Sequence, residues 1–384
     1  MSSRTIFLLG IAAANSGITM RVVEPMLPRL ADEFATTVPA AAVLITAFGF
    51  AQAASQYYHG PFGDRFGKLR MATILMALSA VVSMLTALAN DLQALAILRL
   101  VTGLVATGNM TLGMAYLSDV TPAASRQPVL ARFVSGTIIG QALGPFVGGL
   151  LTDLFGWRAA FVFLGAVFAA VGVLLYVTTR AQWNDGPRST GPVLSPANHL
   201  AVLARPKARA VLAAVTIEVL LFFGAFAFLG AHLKQRFDLS FTTIGLLLAG
   251  FGAGGVLYTA LAHRLLGAMG QRGCMLAGGA IVAIAYAGAV VVPWWPLVMA
   301  CTVASGFGFY LVHNTLQMKA TEMAPERRGT AIALFSAGWG GGQAIGAAVM
   351  GVLASSLGYA VPIVLFGIGF LLLAFVARAN LDRL

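Results

Sequence analysis

Charge is what this chain of 384 residues has least of. Asp, Glu, Lys and Arg make up 10% of it, and 59% is hydrophobic. A soluble domain carries roughly 25% charged residues. Too few charged side chains exist to coat a water-facing surface of this size. That excludes an ordinary soluble enzyme, a disordered chain and a fibrous protein. Cysteine is scarce too: Cys274 and Cys301 lie far apart in apolar stretches, without metal-ligand spacing, and read as inert small hydrophobes. No His/Cys cluster is spaced for a metal or haem. No Walker loop is present, so ATP is not the expected energy source. Gly338-Trp-Gly-Gly-Gly342 lacks the lysine and strand of a phosphate loop and reads as close helix packing. Strand alternation is absent, which argues against a β-barrel.

What remains is a succession of long apolar runs, and lipid is the natural surrounding for them. Mean hydropathy is +0.87. Spans are expected at about 5–30, 38–60, 69–89, 93–117, 128–152, 158–179, 208–233, 241–262, 274–292, 295–318, 329–354 and 359–378. Each approaches or exceeds the ~20 residues that a helix needs to cross the hydrocarbon. Lipid offers no partner to an open backbone, so the spans should be helices. Met1 to Ala14 can pass for a signal peptide, with Arg4, an apolar core and three alanines. The apolar stretch continues beyond it to Pro25-Met26-Leu27-Pro28, which favours an uncleaved first helix.

The formal net charge is +11. In a soluble domain this excess would suggest nucleic acid, but its distribution points elsewhere. With the N-terminus placed in the cytoplasm, the cytoplasmic side receives Arg4, Arg65, Lys68, Arg70, Arg126, Arg180, Arg188, Arg205, Lys207, Arg209, Arg264, Arg272, Arg327, Arg328, Arg378 and Arg383. The outer side receives only Arg29, Arg158, Lys234 and Arg236. This bias predicts that both termini are cytoplasmic. The longest polar stretch, near 180–206, divides the spans six and six. The expected organisation is therefore a bundle at 1–180, a cytoplasmic linker at 181–206 and a second bundle at 207–384.

The halves also match in sequence. Asp119-Val-Thr-Pro122 returns as Glu322-Met-Ala-Pro325, and Gly103 as Gly306, both 203 residues on. Gly140-Gln-Ala-Leu-Gly144 returns as Gly342-Gln-Ala-Ile-Gly346, 202 residues on. Asp64-Arg65 has a weaker counterpart in His263-Arg264. The fold class expected is an all-α membrane protein, with twelve transmembrane helices in two pseudo-symmetric six-helix bundles. Secondary transporters are built this way, with the site between the halves near the midplane.

Two motifs sharpen this reading. The loop after span two runs Gly60-Pro-Phe-Gly-Asp64-Arg65-Phe-Gly67-Lys68-Leu-Arg70. Its small residues permit a tight turn, and its acid and bases can pair across helix ends. Span five carries Gly140-x-x-x-Gly144-Pro145-x-x-Gly148-Gly149. Glycines four apart clear one helix face for another backbone, and Pro145 removes a helical hydrogen bond and should kink the helix. The first motif resembles the signature loop of the major facilitator superfamily. The second is similar to the span-five motif of its twelve-helix drug:proton antiporters. Glu24-Pro-Met-Leu-Pro28 resembles the end of their first span, and Arg99-Leu-Val-Thr-Gly103 a span-four motif in which Thr102 here replaces glutamine. The resemblance implies that Gly60, Asp64, Arg65, Gly67 and Arg70 belong to a cytoplasmic latch, with Asp119 as ion-pair partner. It implies that Arg99 influences proton coupling and that Gly144, Pro145 and Gly148 shape the pivot between halves.

Ionisable residues inside a membrane are costly and are functional candidates by default. In the first half these are Arg21, Glu24 and Arg99; in the second, Glu218 and His313, with Asn314 beside it. Arg21 and Glu24 are three apart and can pair on one helix face. Glu24 either takes part in coupling or only neutralises Arg21. Glu218 has no basic residue close in sequence and is the stronger proton carrier; shut in an apolar cavity, a carboxyl group can exchange a proton with a substrate that competes for it. His313 is either a packed neutral histidine or a ligand-contacting one. Arg132 and Lys319 should snorkel to the interface. Asn15, Gln52, Asn109 and Gln141 can line the cavity or only bond between helices. Phe222, Phe223, Phe226 and Phe228 cluster near Glu218. The expected function is proton-driven export of small lipophilic or cationic compounds by alternating access. A metabolite exporter (sugar, nucleoside or amino acid) is the alternative, and a non-transporting receptor or channel a more distant one. No enzyme activity and no cofactor beyond the proton are expected. A monomer in the bacterial inner membrane is expected, touching lipid and a small-molecule substrate but no nucleic acid.

Overall fold

The computed structural model describes residues 3–183 and 196–382, and all its regular structure is helical. The first half contains α1 (Ser3–Arg21), a 3-10 turn at Glu24–Met26, α2 (Leu27–Glu33), α3 (Val38–Ala41), α4 (Val43–Ser55), α5 (His59–Phe66), α6 (Lys68–Thr86), α7 (Leu92–Ala106), α8 (Gly108–Val120), α9 (Ala123–Phe155) and α10 (Trp157–Thr179). Then follow α11 (Pro196–Leu203), α12 (Pro206–Phe237), α13 (Phe241–Val291), α14 (Leu297–Glu322), α15 (Arg328–Leu357) and α16 (Ala360–Ala379). Most of the expected linker, including Arg188, lies outside the described residues, as does Arg383.

Eleven described helices, some built from two consecutive elements, are long and apolar enough to cross a membrane. The longest, α13, has 51 residues and consists of two helices joined across a kink at Gly270, where φ is 64°. Gly67, between α5 and α6, has φ of 94°. The two glycines are 203 residues apart, the offset of the repeat. The break in α13 therefore stands where the first half turns from its second span to its third. A left-handed backbone favours glycine at both places, because a Cβ there would clash with its own chain.

This corrects the weak match of Asp64-Arg65 with His263-Arg264. Counted by the offset of 203, the position of Asp64 falls on Gly267 and that of Lys68 on Gln271. The second half has neither the acid nor the base at these places.

Glycine packing repeats as well. Along α9, a Cβ on Gly140 would lie 2.0 Å from the Ala14 carbonyl oxygen, and one on Gly144 would lie 3.0 Å from that of Ile18. Along α15, a Cβ on Gly342 would lie 2.4 Å from the Thr216 carbonyl oxygen, and one on Gly346 would lie 2.4 Å from that of Leu220. Each residue of the second set is 202 positions after its counterpart in the first. α9 thus lies on α1 as α15 lies on α12, backbone to backbone. α9 runs as one helix through Pro128 and Pro145, so the proline removes a bond without ending the helix.

The two halves meet along two seams. In one, α9 lies on α13: Gly245 leaves room for the Pro145 carbonyl, Gly149 for that of Phe241, and Gly252 for the Ala142 side chain. Asp153, at the end of α9, accepts hydrogen bonds from the backbone of Phe241 (3.2 Å) and Thr242 (2.6 Å), capping α13. In the other, Gly49 of α4 faces Gly340 of α15 within van der Waals reach of its backbone. Both seams reach the end that carries Glu33, Asp153 and Asp238, where Gly149 meets Phe241 and Gly351 meets Pro39. Large apolar side chains such as Val352 and Ile284 are exposed on the outer faces, as lipid contact requires.

These contacts give a test. Gly140→Ala and Gly342→Ala should each lower the thermal stability of the detergent-purified protein sharply, whereas Gly341→Ala, with open space at its Cβ, should leave it near wild type. Equal melting of all three would contradict the packing.

Candidate functional site

Pro25 and Pro28 interrupt the first span, since each lacks an N–H for the helical ladder. The chain turns there through the short 3-10 segment that holds Glu24. The turn folds Glu24 back on Arg21, the last residue of α1. The Arg21 guanidinium donates to Glu24 through Nε (2.8 Å to Oε1) and Nη2 (2.7 Å to Oε2). Both side chains are only 1% exposed. A two-point pairing of this kind offsets part of the cost of taking both charges out of water.

The guanidinium also lies against the second half. Its carbon is 4.8 Å from the ring centre of Phe223, 4.7 Å from that of Phe226 and 5.2 Å from that of Phe251. Aromatic faces attract a cation, by ~2 kcal/mol or more when desolvated. Phe223 is 202 residues after Arg21. Repeat-related positions of α1 and α12 thus touch one another where the halves meet. This cage was not visible in the sequence, which offered only a cluster of phenylalanines near Glu218.

A second buried pair lies deeper in the second half. Glu218 of α12 and His313 of α14 are 95 residues apart and meet with His313 Nδ1 2.9 Å from Glu218 Oε2. Glu218 is fully buried, and its Oε1 has no hydrogen-bond partner among the described residues. The imidazole stacks on Phe309, with ring centres 5.1 Å apart and planes 10° from parallel, and meets the Trp339 ring edge-on at 4.7 Å. His313 is therefore both packed and engaged with the acid. Asn314 turns away from it and donates to the Tyr310 carbonyl of its own helix (3.0 Å).

Phe222 joins the two pairs. It follows Glu218 by one helical turn, stacks on Phe226 at 5.6 Å and contacts Phe309 at 4.5 Å. The Tyr286 hydroxyl donates to its carbonyl (2.7 Å). A continuous aromatic path thus runs from the Arg21 cage through Phe226, Phe222 and Phe309 to His313. Trp339 was hidden in the glycine run of α15. The signal that could have singled it out is a large indole amid residues otherwise selected for close packing.

The remaining candidates separate. Arg99 is fully buried, donates through Nη1 to the Thr19 carbonyl (2.9 Å) and lies 4.3 Å from the Phe48 ring centre. Its Nε and Nη2 find no partner among the described residues. Asn15 bonds to the Leu164 carbonyl (3.1 Å), tying α1 to α10, and Asn109 bonds to Ala106 within its own stretch (3.3 Å). These two are buried helix-to-backbone contacts, with Oδ1 of each unpartnered.

In the loop after α5, the expected partner of Asp119 is corrected. Lys68, not Arg65, pairs with Asp119 and also with Asp64, at 3.0 Å from the latter. Lys68 opens α6 directly after the Gly67 turn, where its side chain reaches Asp64 in the last turn of α5 and Asp119 in the last turn of α8. Arg65 lies instead beside the Phe66 ring, and Arg70 has no ion pair among the described residues. A Cβ on Gly60 would meet open space. Gly144, Pro145 and Gly148 all stand at backbone contacts: Gly144 against Ile18 of α1, Gly148 against Val22 just beyond it, Pro145 against Gly245 of α13. In the second half, Glu322 pairs with Lys319 (3.6 Å), while Arg205, just after α11, pairs with Glu326.

A membrane-embedded bundle with two internally repeated halves and buried charges between them defines a multi-pass membrane transporter. A sequence profile of the Major Facilitator Superfamily matches residues 9–231 and 211–382, so the chain belongs to that superfamily. It is 23% identical over 361 residues to the uncharacterised MFS-type transporter YwfA of Bacillus subtilis (strain 168), covering 92% of this chain and 85% of that protein. It is 24% identical to the uncharacterised MFS-type transporter YybF of the same organism, over 47% of this chain and 45% of that protein. That match thus spans less than half of YybF. Among solved structures, a bacterial homologue of the human lysosomal transporter Spinster, in an inward-facing and unoccupied conformation, superposes with a TM-score of 0.77 at 16% identity, covering 98% of this chain and 95% of that one.

Removing one partner of a buried ion pair leaves an uncompensated charge and costs about 3–5 kcal/mol, while replacing both by apolar groups is often neutral. Arg21→Met should therefore lower the melting temperature markedly, and Arg21→Met/Glu24→Leu should recover most of the loss. A double variant no more stable than the single one would contradict the pairing.

Proposed function

We propose that this transporter exports small lipophilic or cationic compounds in exchange for protons, by alternating access between two six-helix bundles at 1–180 and 207–384. The observation that carries the reading is Glu218: a buried carboxylate with one unpartnered oxygen, beside the aromatic faces that pack on His313. A carboxylate framed by aromatic rings is suited to an organic cation as well as to a proton. Two occupants that exclude each other at one acid give a physical basis for exchange.

In this reading both termini are cytoplasmic, α13 supplies two of twelve spans, and the membrane is the bacterial inner one. The chain acts as a monomer with no cofactor. The end carrying Asp64, Asp119 and Glu322 then faces the cytoplasm. The seams between halves reach the opposite end, and Met114 and Met318, on α8 and α14, are exposed. Both features support a state open towards the cytoplasm. The Lys68 bridge to Asp64 and Asp119 belongs to the latch, and the glycine seams of α9 form the surface about which the halves rock.

A metabolite exporter is the second reading. It is favoured by Gln52 Oε1, Asn109 Oδ1 and Gln343 Oε1, all buried without partners among the described residues, since such acceptors suit hydroxyl and amide groups.

In liposomes under an imposed pH gradient, wild-type protein should move at least one lipophilic cation from a broad panel. Glu218→Gln, which keeps the shape and loses the titratable group, should abolish gradient-driven flux while the protein still folds. Unchanged flux in that variant would remove Glu218 from the coupling role; flux of neutral metabolites alone would favour the second reading.

A further inference from the structure

On the flank where α4 meets α12 and α15, a groove of about 400 Å³ remains open. This size lies within the ~300–1,000 Å³ of small-ligand sites. Small residues of α4 and α15 form its floor, and a Cβ on Gly341 would project into open space. Phe50 and Tyr57 stand along one wall, 64% and 41% exposed. Leu203 of α11 covers one end, where the Tyr57 ring lies 5.1 Å from that of His199.

The end under α11 is basic. Lys207 and Arg209, in the first turn of α12, are exposed and have no ion-pair partner among the described residues. Arg209, Leu212 and Thr216 share one helix face by their spacing, and Leu212 and Thr216 line the groove. Arg209 therefore stands one turn beyond the groove's end, on the side where the spans give way to polar chain. An apolar trough that ends at unpaired cations, on the lipid-facing flank of a membrane bundle, matches a molecule with a long apolar tail and an anionic head.

We propose that this groove holds an acyl chain of an anionic phospholipid, with its headgroup at Arg209 and Lys207. Its walls come from both halves and from α11, so its width depends on how these sit together. A lipid that fits only this arrangement favours it over others by its difference in affinity. The lipid is then a bound regulator of the conformational balance, whatever the transported compound is.

The test measures binding of phosphatidylglycerol and phosphatidylcholine to the detergent-purified protein by native mass spectrometry, together with the melting temperature in each lipid. Wild type should retain phosphatidylglycerol in preference to phosphatidylcholine and melt higher with it. Gly341→Leu, which fills the groove, should weaken phosphatidylglycerol binding about tenfold; Ala54→Leu serves the same purpose if Gly341→Leu folds poorly. Lys207→Gln/Arg209→Gln should abolish the preference between the two lipids, and Arg126→Gln, a basic residue of the first half at the same end, should keep it. Equal binding by wild type and the groove-filling variants would overturn the proposal. So would loss of preference in Arg126→Gln, which would mean general surface charge, or equal protection by soluble glycerol phosphate, which would mean a headgroup site without a chain.

Discussion

The structure depends on one interaction above the others: a guanidinium and a carboxylate, taken out of water together and pressed against three phenylalanine rings of the opposite half. Arg21 and Glu24 satisfy each other through two hydrogen bonds. The remaining face of the cation is met by Phe223, Phe226 and Phe251. The pair belongs to the first half and the rings to the second. Separating the halves at this place would expose a cation stripped of its cage. That cost is paid only if water or a substrate takes the place of the rings, which makes the contact a natural gate in the proposed cycle.

Around this contact the two halves repeat each other's packing but not each other's chemistry. Gly103 lies against the Phe48 carbonyl as Gly306 lies against that of Phe251. Gly67 and Gly270 share a left-handed backbone, as do Gly156 and Gly358. Yet the repeat sets Arg21 against Phe223, Ser16 against Glu218 and Asp64 against Gly267. Backbone contacts tolerate little change, since a single Cβ would clash. Side chains facing the centre are under no such restraint. The first half carries the Lys68 bridge to Asp64 and Asp119 and the paired arginine, and the second carries the lone acid, its histidine and the aromatic path between the two pairs.

Much of this was legible before any coordinates. The spans follow from hydropathy, and the glycines of α9 and α15 announced helices in backbone contact. Arg21 with Glu24 followed from helical spacing. The meeting of Glu218 with His313 did not, because 95 residues separate them and only the spatial order of α12 and α14 brings them together. The aromatic cage was hidden for the same reason: Phe251 lies in another span from Phe223. The likeness of His263-Arg264 to Asp64-Arg65 is one of side chains, whereas the repeat at that turn resides in the backbone of Gly67 and Gly270. The pairing of Lys68 with Asp119 is not legible in the motif, since reach across a helix start is set by geometry that its letters do not carry.

The most direct test concerns the cage. Spin labels at Val120→Cys and Thr321→Cys, with Cys274 and Cys301 replaced, report the separation of the ends of α8 and α14 by pulsed electron resonance. Phe223→Leu/Phe226→Leu removes the ring faces and leaves the ion pair in place. If the cage holds the halves in the present arrangement, this variant should gain a population with a shorter distance between the labels, as the opposite end closes. An unchanged distance distribution would contradict the account.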